Sequence, residues 1–224
     1  MDVFLDPANR QAYLDGFLTI LKLTGASALL ALALGMLLAA CRVSPVPVLR
    51  ALGAGWVHLF RNTPLTLVIL FCFFGLYSAV GVEFSEDIHV NNYWLAVTGL
   101  SAYTAAFVCE AIRSGINTVP VGQAEAARAL GLSFSQNLRL IILPQAMRSV
   151  VAPLGSILIA LTKNATIAGV IGVAEASSAM KALIESNGDQ TIAIFAVFAL
   201  TFVALLVPVG YAFSALANRL VVRR

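Results

Sequence analysis

Glu125-Ala126-Ala127-Arg128-Ala129-Leu130-Gly131-Leu132-Ser133, followed seven residues later by Ile141-Ile142-Leu143-Pro144, is a charged, water-compatible stretch set between segments oily enough to sit in lipid. Pro120 and Gly122 punctuate the chain just before it, and residues 123–132 are rich in Ala, Leu, Glu and Arg, which favour helix. Glu125 stands near the start of that helix, where a negative charge complements the dipole. Gly131 is placed to end or bend it, and Ser133 to cap a second helical run that Pro144 would stop. Ala126 and Ala127 leave one face slender enough to enter a groove on another protein. An amphipathic helix lying passively on a membrane surface would satisfy the same composition.

Outward from this loop the chain is a membrane protein. Hydrophobic residues make up 60% and charged residues only 11%, far from the mix of a soluble domain. Each span needs roughly 20 apolar residues to cross the hydrocarbon, so 224 residues hold about five. Four such stretches are plain, at 17–41, 56–80, 93–112 and 192–216. A fifth, at 150–161, is shorter and interrupted by Pro153 and Gly155. The expectation is an all-α, polytopic membrane domain occupying 1–224 as one unit, with the polar loop at about 114–146.

Orientation follows from the basic residues, which collect on the cytoplasmic side near span ends. With the N-terminus outside and the C-terminus inside, Arg42, Arg50, Arg61, Arg113, Arg128, Arg139, Arg148, Arg219, Arg223 and Arg224 all fall at the inner side. Only Arg10 and Lys181 fall outside, with Lys22 and Lys163 inside or near spans. The net charge of +3 is thus a signal of topology rather than of nucleic-acid binding. The first sixteen residues are mixed and acidic, unlike a cleavable signal peptide, so the first span is expected to remain in the mature protein. Cys41, Cys72 and Cys109 lack metal-ligand spacing and read as small apolar fillers, and His58 and His89 stand apart from any ligand cluster. Ser44-Pro45-Val46-Pro47 marks an inner turn, residues 81–92 an outer loop, and the half-apolar 164–190 a short re-entrant or surface-lying helix.

The spacing of the central loop resembles the EAA loop of the membrane subunits of bacterial ABC importers. The resemblance extends from Arg61 to Gly172, about half of the chain. Arg61-Asn62-Thr63-Pro64-Leu65 with the aromatic run after it, Ala102-Tyr103 to Gly115, Val119 to Ala127, and Lys163 to Gly172 are similar to segments of the polar amino-acid permease family. That resemblance implies a coupling helix that docks on a separate cytoplasmic ATP-binding subunit, with Gln123, Glu125, Ala126, Ala127, Leu130 and Gly131 as its coupling residues. It also implies a second permease subunit, identical or not, an extracytoplasmic solute-binding protein, an amino-acid substrate and a multi-pass place in the bacterial cytoplasmic membrane. No Gly-x-x-x-x-Gly-Lys-[Ser/Thr] loop occurs in the chain, so ATP and Mg are expected on the partner ATPase, with no cofactor and no enzymatic activity here.

Polar groups inside spans are costly and are therefore candidates for a substrate path. Asn62, Thr63, Pro64, Glu110, Lys163, Asn164 and Thr166 form that set. Each has a purely structural role open to it: Pro64 can initiate a helix, Glu110 can pair with Arg113 one turn on, and Lys163 can snorkel from the end of its span. Relatives often place Gln where this chain has Val68, and Asp where it has Asn164. The second departure removes a repulsive partner for an acidic ligand near Lys163, which argues for glutamate or aspartate over arginine or histidine. An ion-gradient carrier would also place ionisable groups within the membrane, but it would leave the polar loop unexplained.

Overall fold

The computed structural model describes residues 2–220, so Arg223 and Arg224 lie outside the described residues. Asp6 caps helix α1 (Pro7–Val43) by accepting from the Ala8 N–H, and Pro7 occupies the first turn, where its missing donor is not needed. At about 1.5 Å per residue this helix far exceeds the hydrocarbon thickness. After the Ser44-Pro45 turn come α2 (Pro47–Arg61) and α3 (Leu65–Leu70), the latter continuing as a π-helical stretch over Phe71–Ala79. Gly81, at φ 80°, turns the chain, and Asp87 caps α4 (Ile88–Asn117). The polar loop forms α5 (Val121–Ala129) and α6 (Phe134–Asn137). A π-type turn, Leu138–Ile142, then leads into α7 (Leu143–Asn164). A 3-10 segment, Ala165–Ile171, joins α7 to α8 (Ala176–Ser186), and α9 (Thr191–Leu220) closes the chain.

Four of these helices or continuous runs are long and apolar enough to cross a membrane, and α2 with α3 could make a fifth span, bent by 106°. The expected all-α membrane architecture of about five spans therefore holds. Helix α4 is its axis. Along its most apolar window 67% is buried, against 11% for the C-terminal helix, so α4 is wrapped by protein while α9 lies at the rim. Leu95, Ala96 and Leu100 of α4 share a core with Ile20 and Leu23 of α1, Val68 and Ile69 of α3, and Leu161 of α7. A second cluster, nearer the C-terminal end of α4, joins Ala105, Val108 and Cys109 to Leu38 of α1, Val57 of α2 and Val150 of α7.

Three expectations are corrected. The span expected at 56–80 is not one helix, because Asn62-Thr63-Pro64 breaks it. Asn62 Nδ2 and Thr63 Oγ1 donate to the His58 and Leu59 carbonyls, consuming the end of α2, and Pro64 cannot continue its ladder. Pro144 does not stop the loop's second helix. The wider turn Leu138–Ile142 precedes it, with the Leu143 N–H bonded to the Leu138 carbonyl, and the ring falls in the first turn of α7. Nor do Pro153 and Gly155 interrupt the following span, which runs helically through both; Gly155 instead leaves room for the Phe213 ring of α9. Residues 164–190 do contain the expected short helix, α8, seated on α1 where the Gly16 backbone approaches Ala176.

Candidate functional site

The polar loop is a small folded unit. Its first helix ends in a left-handed glycine: Gly131 has φ 84°, the Leu132 N–H reaches back to the Ala127 carbonyl at 3.1 Å, and the Gly131 N–H reaches that of Arg128 at 2.9 Å. Ser133 and Gln136 then cap α6 reciprocally, with the Gln136 N–H donating to Ser133 Oγ and the Ser133 N–H to Gln136 Oε1. Buried Asn137 ties the two helices by donating to the Ala124 carbonyl at 3.0 Å, and Gln145 of α7 bonds Gln123. Ala126 and Ala127 part company here. Ala127 is buried inside the loop, whereas Glu125, Ala126, Ala129 and Leu130 stand exposed together. Leu130, at 83% exposure, is the most exposed apolar side chain of this surface.

Glu110 sits where α1, α2 and α4 meet. The expected pair with Arg113 is present, at 3.2 Å, but Arg42 of α1 and Arg61 of α2 reach the same carboxylate, Arg61 at 3.4 Å. Arg61 also stacks 5.8 Å over the Phe107 ring. A local i, i+3 reading finds only Arg113; the other two arginines are brought in by the turn at Ser44 and the break after Arg61. Glu110 is thus fully engaged with protein cations.

Lys163 lies in the last turn of α7, the helix end expected of it. Its neighbour Leu161 belongs to the same core as Leu100 of α4, and beyond it the Asn92 side chain donates to the Ile171 carbonyl at 2.7 Å. With Thr166, Ser156 and Tyr211 it lines an open groove of about 940 Å³ between α7 and α9. Among the described residues Lys163 has no carboxylate within ion-pair distance. Thr166 Oγ1 donates to the Lys163 carbonyl at 2.8 Å, and half-buried Asn164 lies between them. Asn62, Thr63 and Pro64 are not joined to this group by any hydrogen bond among the described residues. The two stretches flank one core in which Leu65 and Val68 meet Leu161 and Ala165.

One polar group escaped the sequence reading. Glu175 is completely buried at the start of α8, accepting from the Ser177 N–H at 2.7 Å and from the Ser178 N–H and Oγ at 2.8 Å. Burial pushes its carboxyl above the usual range, opposed by those serine hydrogen bonds and by Lys181. Gly169 permits the arrangement, since a side chain there would meet Glu175 Oε1 at 2.8 Å. An acidic residue three positions after Gly172 and directly before a helix-forming run was the available signal.

A bundle of apolar helices long enough to cross a membrane, carrying a folded, solvent-exposed polar loop, defines a multi-pass membrane protein. Residues 31–222 match the family of binding-protein-dependent transport system inner membrane components, and the chain belongs to that family as an inner-membrane permease subunit of an ABC transporter. This answers the rival reading of an ion-gradient carrier. The chain is 50% identical over 216 residues to the glutamate transport system permease protein GluC of Corynebacterium glutamicum, covering 94% of this chain and 95% of that protein. It is 34% identical to the probable glutamine ABC transporter permease protein GlnM of Bacillus subtilis, covering 95% and 94%. In fold it matches an amino acid ABC transporter solved with histidines, with a TM-score of 0.84 at 24% identity over 98% of this chain and 99% of that one. The methionine transporter MetNI in inward-facing form gives 0.75 at 18% identity, over 97% and 100%.

Proposed function

We propose that this chain is the permease subunit of an ATP-driven glutamate importer, forming half of the translocation path and coupling to a separate ATPase through α5. The observation that carries the substrate is the 50% identity, over nearly the whole of both chains, to a permease named for glutamate transport. Lys163, which lines an open groove and meets no carboxylate among the described residues, supports it, because a cation held within the membrane calls for an anionic partner. An acidic amino acid supplies one, and neutral Asn164 beside it offers no repulsion. The path also takes in Thr166 and, across the shared core, Asn62, Thr63 and Pro64; Glu110 serves instead to fasten helices.

Coupling runs through the loop. Glu125, Ala126 and Leu130 form its exposed face, Gln123 and Ala127 hold it to the body, and Gly131 sets its end. With α5 fixed to α6 and α7, closure of the docked ATPases moves the loop as a lever and rocks the spans to open the path outward. ATP and Mg reside on those ATPases, a binding protein delivers the substrate, and a second permease subunit completes the path.

The test is uptake of labelled glutamate into vesicles holding this chain, its ATPase, its partner permease and a candidate binding protein, with Glu125 intact or changed to alanine. Uptake that requires ATP and falls at least tenfold in Glu125→Ala is expected, a loss of about 1.4 kcal/mol in coupling. Equal displacement of the label by arginine and by glutamate would overturn the substrate, and unimpaired uptake by Glu125→Ala would overturn the coupling role.

A further inference from the structure

We propose that the junction of α1, α2 and α4 is a binding site for the headgroup of an anionic phospholipid, with α2 lying flat in the membrane interface. Helix α3 packs along α4, where Gly99 leaves room for Ile69 and Cys72, so the 106° bend turns α2 across the bundle. Its Gly53 rests on the Leu38 carbonyl and Arg42 of α1, and Trp56 Nε1 donates to the Ala102 carbonyl of α4 at 3.1 Å.

At 100° per residue the remaining surface of α2 divides cleanly. Val48, Leu52 and Leu59 lie on one exposed side, each more than 60% accessible, while Arg50 and Arg61 lie on the opposite one, with His58 between the two. An amphipathic helix of this kind, with arginines on its polar side, is built for the boundary between headgroups and acyl chains. Charge complementarity names the headgroup. Arg42, Arg61 and Arg113 gather against the single carboxylate of Glu110, leaving an excess of two positive charges, and Arg50, on the same side of α2 as Arg61, adds a further cation with no carboxylate of its own. Arg50 spends only Nη1 on the Ser44 and Pro45 carbonyls, at 3.1 and 3.0 Å, and Arg61 spends only Nη1 on Glu110. Both guanidinium groups keep donors for a phosphate. In the orientation proposed for the chain this is the inner leaflet. The inference rests on the membrane fold and not on the identity of the transported substrate.

The test is native mass spectrometry of the full-length chain, purified in detergent and offered equal amounts of phosphatidylglycerol and phosphatidylethanolamine with identical acyl chains. Preferential retention of phosphatidylglycerol is expected. The double variant Arg50→Gln with Arg61→Gln should lose it by about fivefold per arginine, leaving phosphatidylethanolamine unchanged, and Arg10→Gln at the opposite end should have no effect. Arg50→Gln alone, which disturbs no carboxylate, should lose about fivefold even where the double variant fails to fold. Wild-type retention in Arg50→Gln, or parallel loss of both lipids, would overturn the proposal. So would a lipid-free dimer that Arg50→Gln disrupts, which would assign the surface to a second copy.

Discussion

Glu110 shows how much one carboxylate can hold when three helices converge on it. The three arginines differ in exposure: Arg42 is 17% accessible, Arg113 35% and Arg61 47%. Removing a partner costs most where water cannot replace it. Replacing Glu110 by Gln should lower stability by about 2 kcal/mol, since it leaves the most buried arginine without its anion. Arg42→Gln should follow closely, while Arg113→Gln and Arg61→Gln should cost less than 1 kcal/mol each, as exposed pairs do. Thermal unfolding followed by size-exclusion of the detergent-purified protein measures the order; equal losses for all three arginine variants would contradict it. From the sequence only the Arg113 contact could be foreseen, because it is set by helical spacing. The other two depend on where α2 turns back, a tertiary fact that pair spacing does not encode.

At the scale of elements, local chemistry was legible and long-range consequence was not. The glycine end of α5 and the serine start of α6 follow from Gly131 and Ser133 alone, because backbone conformation and capping are decided within a few residues. The breaks were harder to judge. Pro64 follows a helix end at which the Asn62 and Thr63 side chains have taken the His58 and Leu59 carbonyls, Pro153 is carried within α7, and Pro144 falls in the first turn of α7 behind a wider turn; the residue type alone does not separate the three. Helix α8 depends on a group the sequence hid, Glu175. Its carboxyl is held above the ordinary range by burial, so the folded chain keeps the proton to higher pH than the unfolded one. Stability should therefore fall as pH rises through the window just above the ordinary carboxylate range, then level off once Glu175 is ionised in both states. Glu175→Gln should remove that component. The melting temperature of wild type minus that of the variant, followed from pH 4 to 8, should decline across the window; a constant difference would refute the assignment. Glu175→Ala, which abandons the Ser177 and Ser178 N–H groups, should be less stable than Glu175→Gln by about 1 kcal/mol at any pH.

For the whole molecule, the charges sort by end. Arg42, Arg61 and Arg113 meet at one end of the bundle, and the folded loop with Arg128 and Arg139 continues from the same end of α4. The opposite end carries Asp6, Glu86 and Asp87, with the turn after Gly81 leading into α4. The rule that basic residues stay on the cytoplasmic side predicts the loop inside, within reach of an ATPase, and the N-terminus outside. A coupling loop on the wrong side could meet no cytoplasmic partner, so topology and function stand together. In a background with half-buried Cys41 changed to Ser, leaving only the buried Cys72 and Cys109, single cysteines report the sides directly. Glu86→Cys should react with a membrane-impermeant maleimide in intact cells, and Ser135→Cys, exposed on α6, only after permeabilisation. The reverse pattern would turn the bundle over and remove α5 from any cytoplasmic ATPase. Labelling of both sites in intact cells would mean that the loop is reached from outside, and the lever reading would fall with it.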